Sequence, residues 1–219
     1  MIIIDKQPGF WVVNKPVGLS VNDNDGQPGL IRQLAAEHPG IKFQPVHRLD
    51  KETSGLLLVA VDADHNRRLS RAFAEHAIQK TYIAITQYGV GKKPKKKQGR
   101  IRGDMTASRN GNYKLLTSKN NPAITTFKSK ALSERKRFVV LTPTTGKTHQ
   151  LRVAMKAMAM PIVGDTRYGG SVSDRMYLHA YRLIFELDDH RYFYQALPEL
   201  GDIFTGLDIP ALEAEFGSS

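Results

Sequence analysis

The stretch PVHRLDKETSGLLLVA, residues 45–60, places an acid, Asp50, shortly after His47 and between the cations Arg48 and Lys51. The aliphatic run from Leu56 to Val61 is too short for a typical helix and reads as a buried strand. Between them, Thr53, Ser54 and Gly55 are residues that turn a chain. A carboxylate therefore stands at the edge of a buried strand, among cations.

The rest of the chain makes that placement pointed. Its 219 residues contain 32 Lys and Arg against 21 Asp and Glu, a formal charge of +11. Such an excess favours a polyanionic partner, above all nucleic acid, and says nothing about fold. The cations stop at Arg191, after which come Glu199, Asp202, Asp208, Glu213 and Glu215. This acidic tail, from about residue 199, is expected to lie away from the polyanion. With no cysteine, disulfides, thiolate metal sites and cysteine nucleophiles are excluded. The opening MIIIDKQPGFWVV has no basic segment followed by a long apolar one. No apolar run approaches the roughly 18 residues that a bilayer requires, so a soluble cytoplasmic protein is expected, with no membrane contact.

Outward from residue 45, residues 2–14 read as two short strands about a Pro-Gly turn, and GLIRQLAAEH (29–38) as a helix. Beyond the buried strand, residues 62–79 form an amphipathic helix, with Leu69, Phe73 and Ala77 opposite Arg67, Arg71 and Glu75. KTYIAIT (80–86) returns as a strand. The lysine-rich segment 92–102 is expected to be a mobile loop or hairpin tip, either simply solvated or touching RNA backbone. Strands follow at 113–117, 123–132 and 136–142, a helix over 148–160 ended by Pro161, and two closing strands at 178–187 and 190–197. No linker divides the chain. The pattern implies a single α+β domain over residues 1–219, with a largely antiparallel, mixed sheet and flanking helices.

Two tempting motifs fail. Gly146-Lys147-Thr148 matches the end of a phosphate-binding loop, but the glycine required five positions earlier is Leu141. The seven histidines show no metal-ligand spacing, and no nucleophile elbow is present. No metal or cofactor is expected. What remains is Asp50, together with Arg152 in TGKTHQLR; if the two meet, the guanidinium can fork onto the carboxylate and hold one rotamer. By spacing alone, the favoured reading of such a pair is an ordinary ion bridge pinning strand to helix.

HRLDKETSGLLLVA (47–60) resembles the signature of the RluA-type RNA pseudouridine synthases. NKPVGLSV (14–21), KTYIAI (80–85) and TGKTHQLRVAMKAMAMPIVGDTRYGG (145–170) resemble three further motifs of that family, in its order. The resemblance covers residues 1–195. It implies the pseudouridine synthase fold with a central RNA-binding cleft, and an enzyme that isomerises uridine to pseudouridine in RNA, without cofactor. Asp50 would be the catalytic aspartate, Tyr82 would pack on the base and help remove the C5 proton, and Arg152 would pair with Asp50. Substrate binding would fall to Arg48, entering the helix as the nucleotide flips out, to Leu151 lining the uracil pocket, and to His47, Lys15, Lys80, Lys147 and His149.

The partner would be a stem-loop of ribosomal or transfer RNA, ribosomal slightly favoured, bound by a monomer. The runs 92–102 and 128–137 would be distal contacts. Because the Lys-Pro-x-Gly motif begins at Lys15, leaving no room for the N-terminal RNA-binding domain of many relatives, selection is expected to rest on the catalytic domain. Lys147 replaces the family's commoner arginine, and Ala154 stands where histidine is usual. Two other readings stay open: a non-catalytic RNA-binding or ribosome-assembly protein, and an N-glycosidase, which would need a second carboxylate about 5–9.5 Å from the first. Glu52 falls at a variable position of the signature, and Asp165 reads as tying a loop.

Overall fold

A computed structural model describes residues 2–91, 93–133 and 135–217. Along the first half run β1 (Ile2–Lys6), β2 (Phe10–Lys15), α1 (Leu30–Glu37), β3 (Gln44–Pro45), β4 (Ser54–Ala60), α2 (Ala63–Ala74) and β5 (Gln79–Gln87). Then come β6 (Gln98–Gly103), β7 (Met105–Ala107), β8 (Tyr113–Leu115), β9 (Ala123–Ser133), β10 (Lys136–Pro143) and α3 (Gln150–Ala157). β11 (Leu178–Leu187), β12 (His190–Gln195), α4 (Asp202–Thr205) and α5 (Ile209–Gly217) complete the order. The architecture is α+β with a mixed, mostly antiparallel set of strands, as the pattern implied.

The chain divides into two compact units, one from its start to Gln79 with His179–Leu197, the other from Lys80–Leu178 with the chain beyond Pro198. The crossings at 79/80 and 178/179 fall at the starts of β5 and β11. No linker composition marks them, which is why the sequence reads as undivided.

In the first unit β1, β2 and β4 pair antiparallel in that order. β11 joins β4 in parallel at His179↔Ser54 and Ala180↔Gly55, and β12 returns antiparallel along β11. Every residue of β4 is buried, as its unbroken aliphatic run requires. Gly55 is held at φ +112, and a Cβ there would stand 2.3 Å from the Ala180 carbonyl oxygen, so the parallel contact needs glycine. Phe10, Val12, Leu56, Leu58, Leu69, Leu183 and Phe185 form the core, with Phe73, Tyr192 and Tyr194 packed against it. In the second unit β5, β10, β9 and β6 form an antiparallel sheet, and β7–β8 is a separate hairpin.

Two helices are shorter than their periodicity suggests. α2 is capped by the Asp62 carboxylate, which accepts the His65 N–H. It stops at Ala74 because His76 turns left-handed at φ +59 and the Ala77 N–H reaches back to the Ala72 carbonyl. α3 stops at Ala157 through the same device at Ala159, φ +59, with Met160 N–H on the Met155 carbonyl. Neither stop is a glycine.

Segment 92–102 departs further from expectation. Lys92 lies outside the described residues, but residues 98–103 form β6, paired with β9 and burying Ile101. The Lys95 N–H also bonds to the Met158 carbonyl at the end of α3. Alternation of Arg100 and Arg102 with small or apolar residues allows one face to pack while the cations stay exposed.

Candidate active site

Asp50 sits in the loop ahead of β4, half-buried, where the Thr53 N–H closes a turn onto its carbonyl. The turn is anchored on both sides. Pro45 pairs with Val59, and the next free N–H of β4, that of Leu58, donates to His47 Nε2 at 2.9 Å. A side chain thus continues the ladder where a two-residue strand runs out. The His47 ring is stacked on Phe73 of α2, with centroids 4.1 Å apart. On the other side the Lys51 carbonyl accepts the Gly18 N–H and the Lys15 ammonium, the latter at 3.1 Å. Leu49 is buried while Arg48 is exposed, so the alternation about the turn aims Arg48 outward.

Lys15, expected to bind substrate, has a structural tie here. Its side chain is wholly buried, and its ammonium donates to the carbonyls of Pro16, Leu19 and Lys51 at 2.9, 2.7 and 3.1 Å. An ammonium has three N–H donors, and all three are directed at main chain. Lys15 therefore ties the Lys-Pro-Val-Gly loop to the Asp50 turn. His47 is likewise a strut for β4. A pair that the sequence did not single out supports β4 from its other edge: Ser54 Oγ lies 2.8 Å from His179 Nδ1, whose Nε2 meets the Ala196 carbonyl at 2.9 Å, with Ser54 and His179 both buried.

In the second unit Lys80 and Tyr82 project from one face of β5, two residues apart. Lys80 is buried, and that burial pushes its ammonium below the usual lysine range. A Cβ at Gly146 would come within 4.0 Å of its Nζ, so the TGKT turn lies over this cation. Tyr82 is half-buried opposite Leu141 of β10.

The turn from Thr145 to α3 is fastened by Gln150. Its Oε1 accepts from Thr145 Oγ1 and the Lys147 N–H, and its amide nitrogen donates to the Ile124 carbonyl and Thr125 Oγ1. Lys147 adds a bond to the Asn121 carbonyl. His149 enters the helix left-handed, at φ +56, with Nδ1 2.8 Å from Tyr168 Oη. That hydroxyl also accepts the Tyr113 N–H at 3.0 Å, and burial raises its pKa. Lys147 and His149, expected to bind substrate, thus have structural ties.

Arg152 projects from the first turn of α3, and Leu151 beside it is buried. Asp165 clasps Arg152, with Nε to Oδ2 and Nη2 to Oδ1 both 2.8 Å, and the guanidinium lies 5.0 Å from the Tyr168 ring centroid. Asp165 does tie a loop, and the loop it ties is to Arg152. Gln150 and Tyr168 were missed because a buried amide or phenol shows no pattern in sequence.

Several expected RNA-binding cations are taken. Lys130 pairs with Glu215 at 2.5 and 2.6 Å, and Lys128 donates to the Phe216 carbonyl at 2.6 Å. Arg137 is buried on Ser129. The acidic tail meets the basic run, its helix α5 docking on β9. Glu134 of that run lies outside the described residues. Among the described residues no helix is long and apolar enough to cross a membrane.

Comparison with known proteins identifies the family. A family model described as RNA pseudouridylate synthase matches residues 9–157. An uncharacterized RNA pseudouridine synthase of Haemophilus influenzae is 43% identical over 92% of this chain and 89% of its own length. Ribosomal large subunit pseudouridine synthase C of Rickettsia felis is 39% identical over 81% of this chain, which spans only 60% of that protein. Among solved structures, human RNA pseudouridylate synthase domain containing 1 has the same fold, with a TM-score of 0.76 at 24% identity over 99% of this chain and 94% of that one. The chain belongs to the RNA pseudouridine synthase family, isomerases that convert uridine to pseudouridine in RNA.

Proposed function

We propose that Asp50 is the catalytic carboxylate of this isomerisation and that the substrate is a uridine in a stem-loop of large-subunit ribosomal RNA. The observation carrying the first part is the anchoring of the Asp50 turn by His47, Lys15 and Thr53, which fixes the backbone of half-buried Asp50 just ahead of a buried strand. The ribosomal name of the Rickettsia felis relative supports the second.

The reaction breaks the N1–C1′ glycosidic bond, turns the uracil and forms a C5–C1′ bond, the C5 proton passing to solvent while N1 takes a proton up. A uridine inside a helix hides these atoms, so it is flipped out at a cost of a few kcal/mol. Exposed Arg48 enters the vacated stack, and the phosphates meet the surrounding cations. Tyr82 stacks on the uracil while it is detached. Leu151 is assigned to lining the base, and Lys80 and Arg152 to the cationic contacts of the second unit. Confinement of both fragments favours recombination over loss to water.

The test is pseudouridine mapping on total RNA from cells with the protein, without it, and with Asp50→Asn alone. A site in large-subunit ribosomal RNA lost in the last two strains is the expected result. A site in transfer RNA would refute the ribosomal assignment, and retention with Asp50→Asn would remove Asp50 from the chemistry. Release of free uracil would instead favour glycosidase action.

A further inference from the structure

The β11–β12 hairpin has two unlike faces. Leu183, Phe185, Tyr192 and Tyr194 turn into the core. The opposite face carries the cross-strand pairs Arg182↔Gln195, Ile184↔Phe193 and Glu186↔Arg191. At its centre Phe193 is 59% exposed.

A lone exposed apolar side chain is ordinary. What distinguishes this one is a cation fixed beside it. The Arg182 guanidinium carbon lies 5.4 Å from the Phe193 ring centroid and 5.3 Å from that of Tyr181. Gln195 Oε1 accepts from Arg182 Nε at 3.2 Å and from Nη2 at 2.9 Å, which holds the planar group in place. The only acid in these three pairs, Glu186, faces Arg191 at the far end, so the Phe193–Gln195 end is cationic.

We infer that this face is a second RNA-contact surface, on which an unpaired nucleobase stacks on Phe193 while Arg182 and Arg191 meet its flanking phosphates. Every base offers a π-face to an aromatic ring, and an immobilised guanidinium contributes both stacking and charge at little entropic cost. RNA is the occupant that the charge favours: two arginines flank the ring on a chain of +11, and the family acts on RNA. The surface would hold a single-stranded segment beside the modified stem. It rests on the chain's action on RNA and not on the role of Asp50.

The probe is a short oligouridylate. The chain has one tryptophan, Trp11, buried in edge contact with the rings of His38 and Phe43, so an F193W chain reports base stacking by quenching against a quiet background. Oligouridylate is expected to quench F193W emission and leave wild-type emission level. F193A and R182Q are expected to bind the oligonucleotide about tenfold more weakly with unchanged melting temperature. Absence of quenching, or F193A binding as tightly as wild type, overturns the proposal. So does an F193A effect confined to self-association in sedimentation, which would make this a protein contact. Repeating the titration in Asp50→Asn separates the two readings, because stacking there is expected to persist whether or not Asp50 is catalytic.

Discussion

Asp165 holds Arg152 through two parallel hydrogen bonds, both 2.8 Å, with Arg152 and Asp165 both buried. A buried ion pair of this kind is poor evidence of net stability but is costly to break from one side. Asp165→Ala strands a guanidinium away from water and is expected to cost about 3–5 kcal/mol, read by urea denaturation. Asp165→Asn keeps one acceptor and should cost less. If Arg152 serves the reaction, turnover falls in both variants while RNA affinity stays near wild type.

Lys15 distinguishes a tie from a phosphate contact. Lys15→Met removes three hydrogen bonds to main-chain carbonyls, of which that of Lys51 keeps the Gly18 N–H, for a predicted loss of about 1–3 kcal/mol and a lowered turnover as the Asp50 turn loosens. The slope of log binding constant against log salt should not change. A slope shallower by about one would mean that Lys15 neutralises a phosphate.

The docking of α5 on β9 yields the opposite prediction. Glu215→Gln removes the partner that neutralises Lys130. If β9 meets RNA, binding at low salt strengthens a few-fold and the salt slope steepens by about one, measured by fluorescence anisotropy. An unchanged slope would take this face out of RNA binding.

Tyr194 donates a 2.6 Å hydrogen bond to Asp5. Burial raises the Asp5 pKa, but bonds from Gln7, Tyr194 and the Lys6 N–H outweigh it and leave the carboxyl below its ordinary value. Burial and this same bond push the Tyr194 hydroxyl up. A lowered carboxylate contributes stability above its unfolded pKa near 4, lost as pH falls through the folded value. A raised phenol contributes below its unfolded pKa near 10, lost as pH rises further. Tyr194→Phe should therefore cost about 1–2 kcal/mol at neutral pH, with the difference from wild type shrinking in acid and in strong base. A pH series of thermal melts checks it.

How much of this was legible in the sequence follows from what each residue needs. β4 announced itself because a strand buried on both faces must be continuously apolar. The Asp50 motif announced itself because a contiguous run carries it. The ends of α2 and α3 did not, because left-handed His76 and Ala159 look like ordinary helix formers. Tyr168 and Ser54–His179 were silent because their partners lie far along the chain, and Gln150 because a buried amide shows no pattern in sequence. Lys15 was visible but its partners were not: a cation in a basic chain suggests phosphate, and only its burial shows that it also faces carbonyls.

Loss of the C5 hydrogen reports directly whether Asp50 performs the isomerisation. Purified wild-type and Asp50→Asn chains are incubated with a large-subunit ribosomal RNA transcript tritiated at uridine C5, with circular dichroism confirming that both are folded. Wild type should release tritium to water in an amount matching one uridine per transcript, and Asp50→Asn should release none above background while still binding the RNA. Release by Asp50→Asn at a rate near wild type would contradict the account.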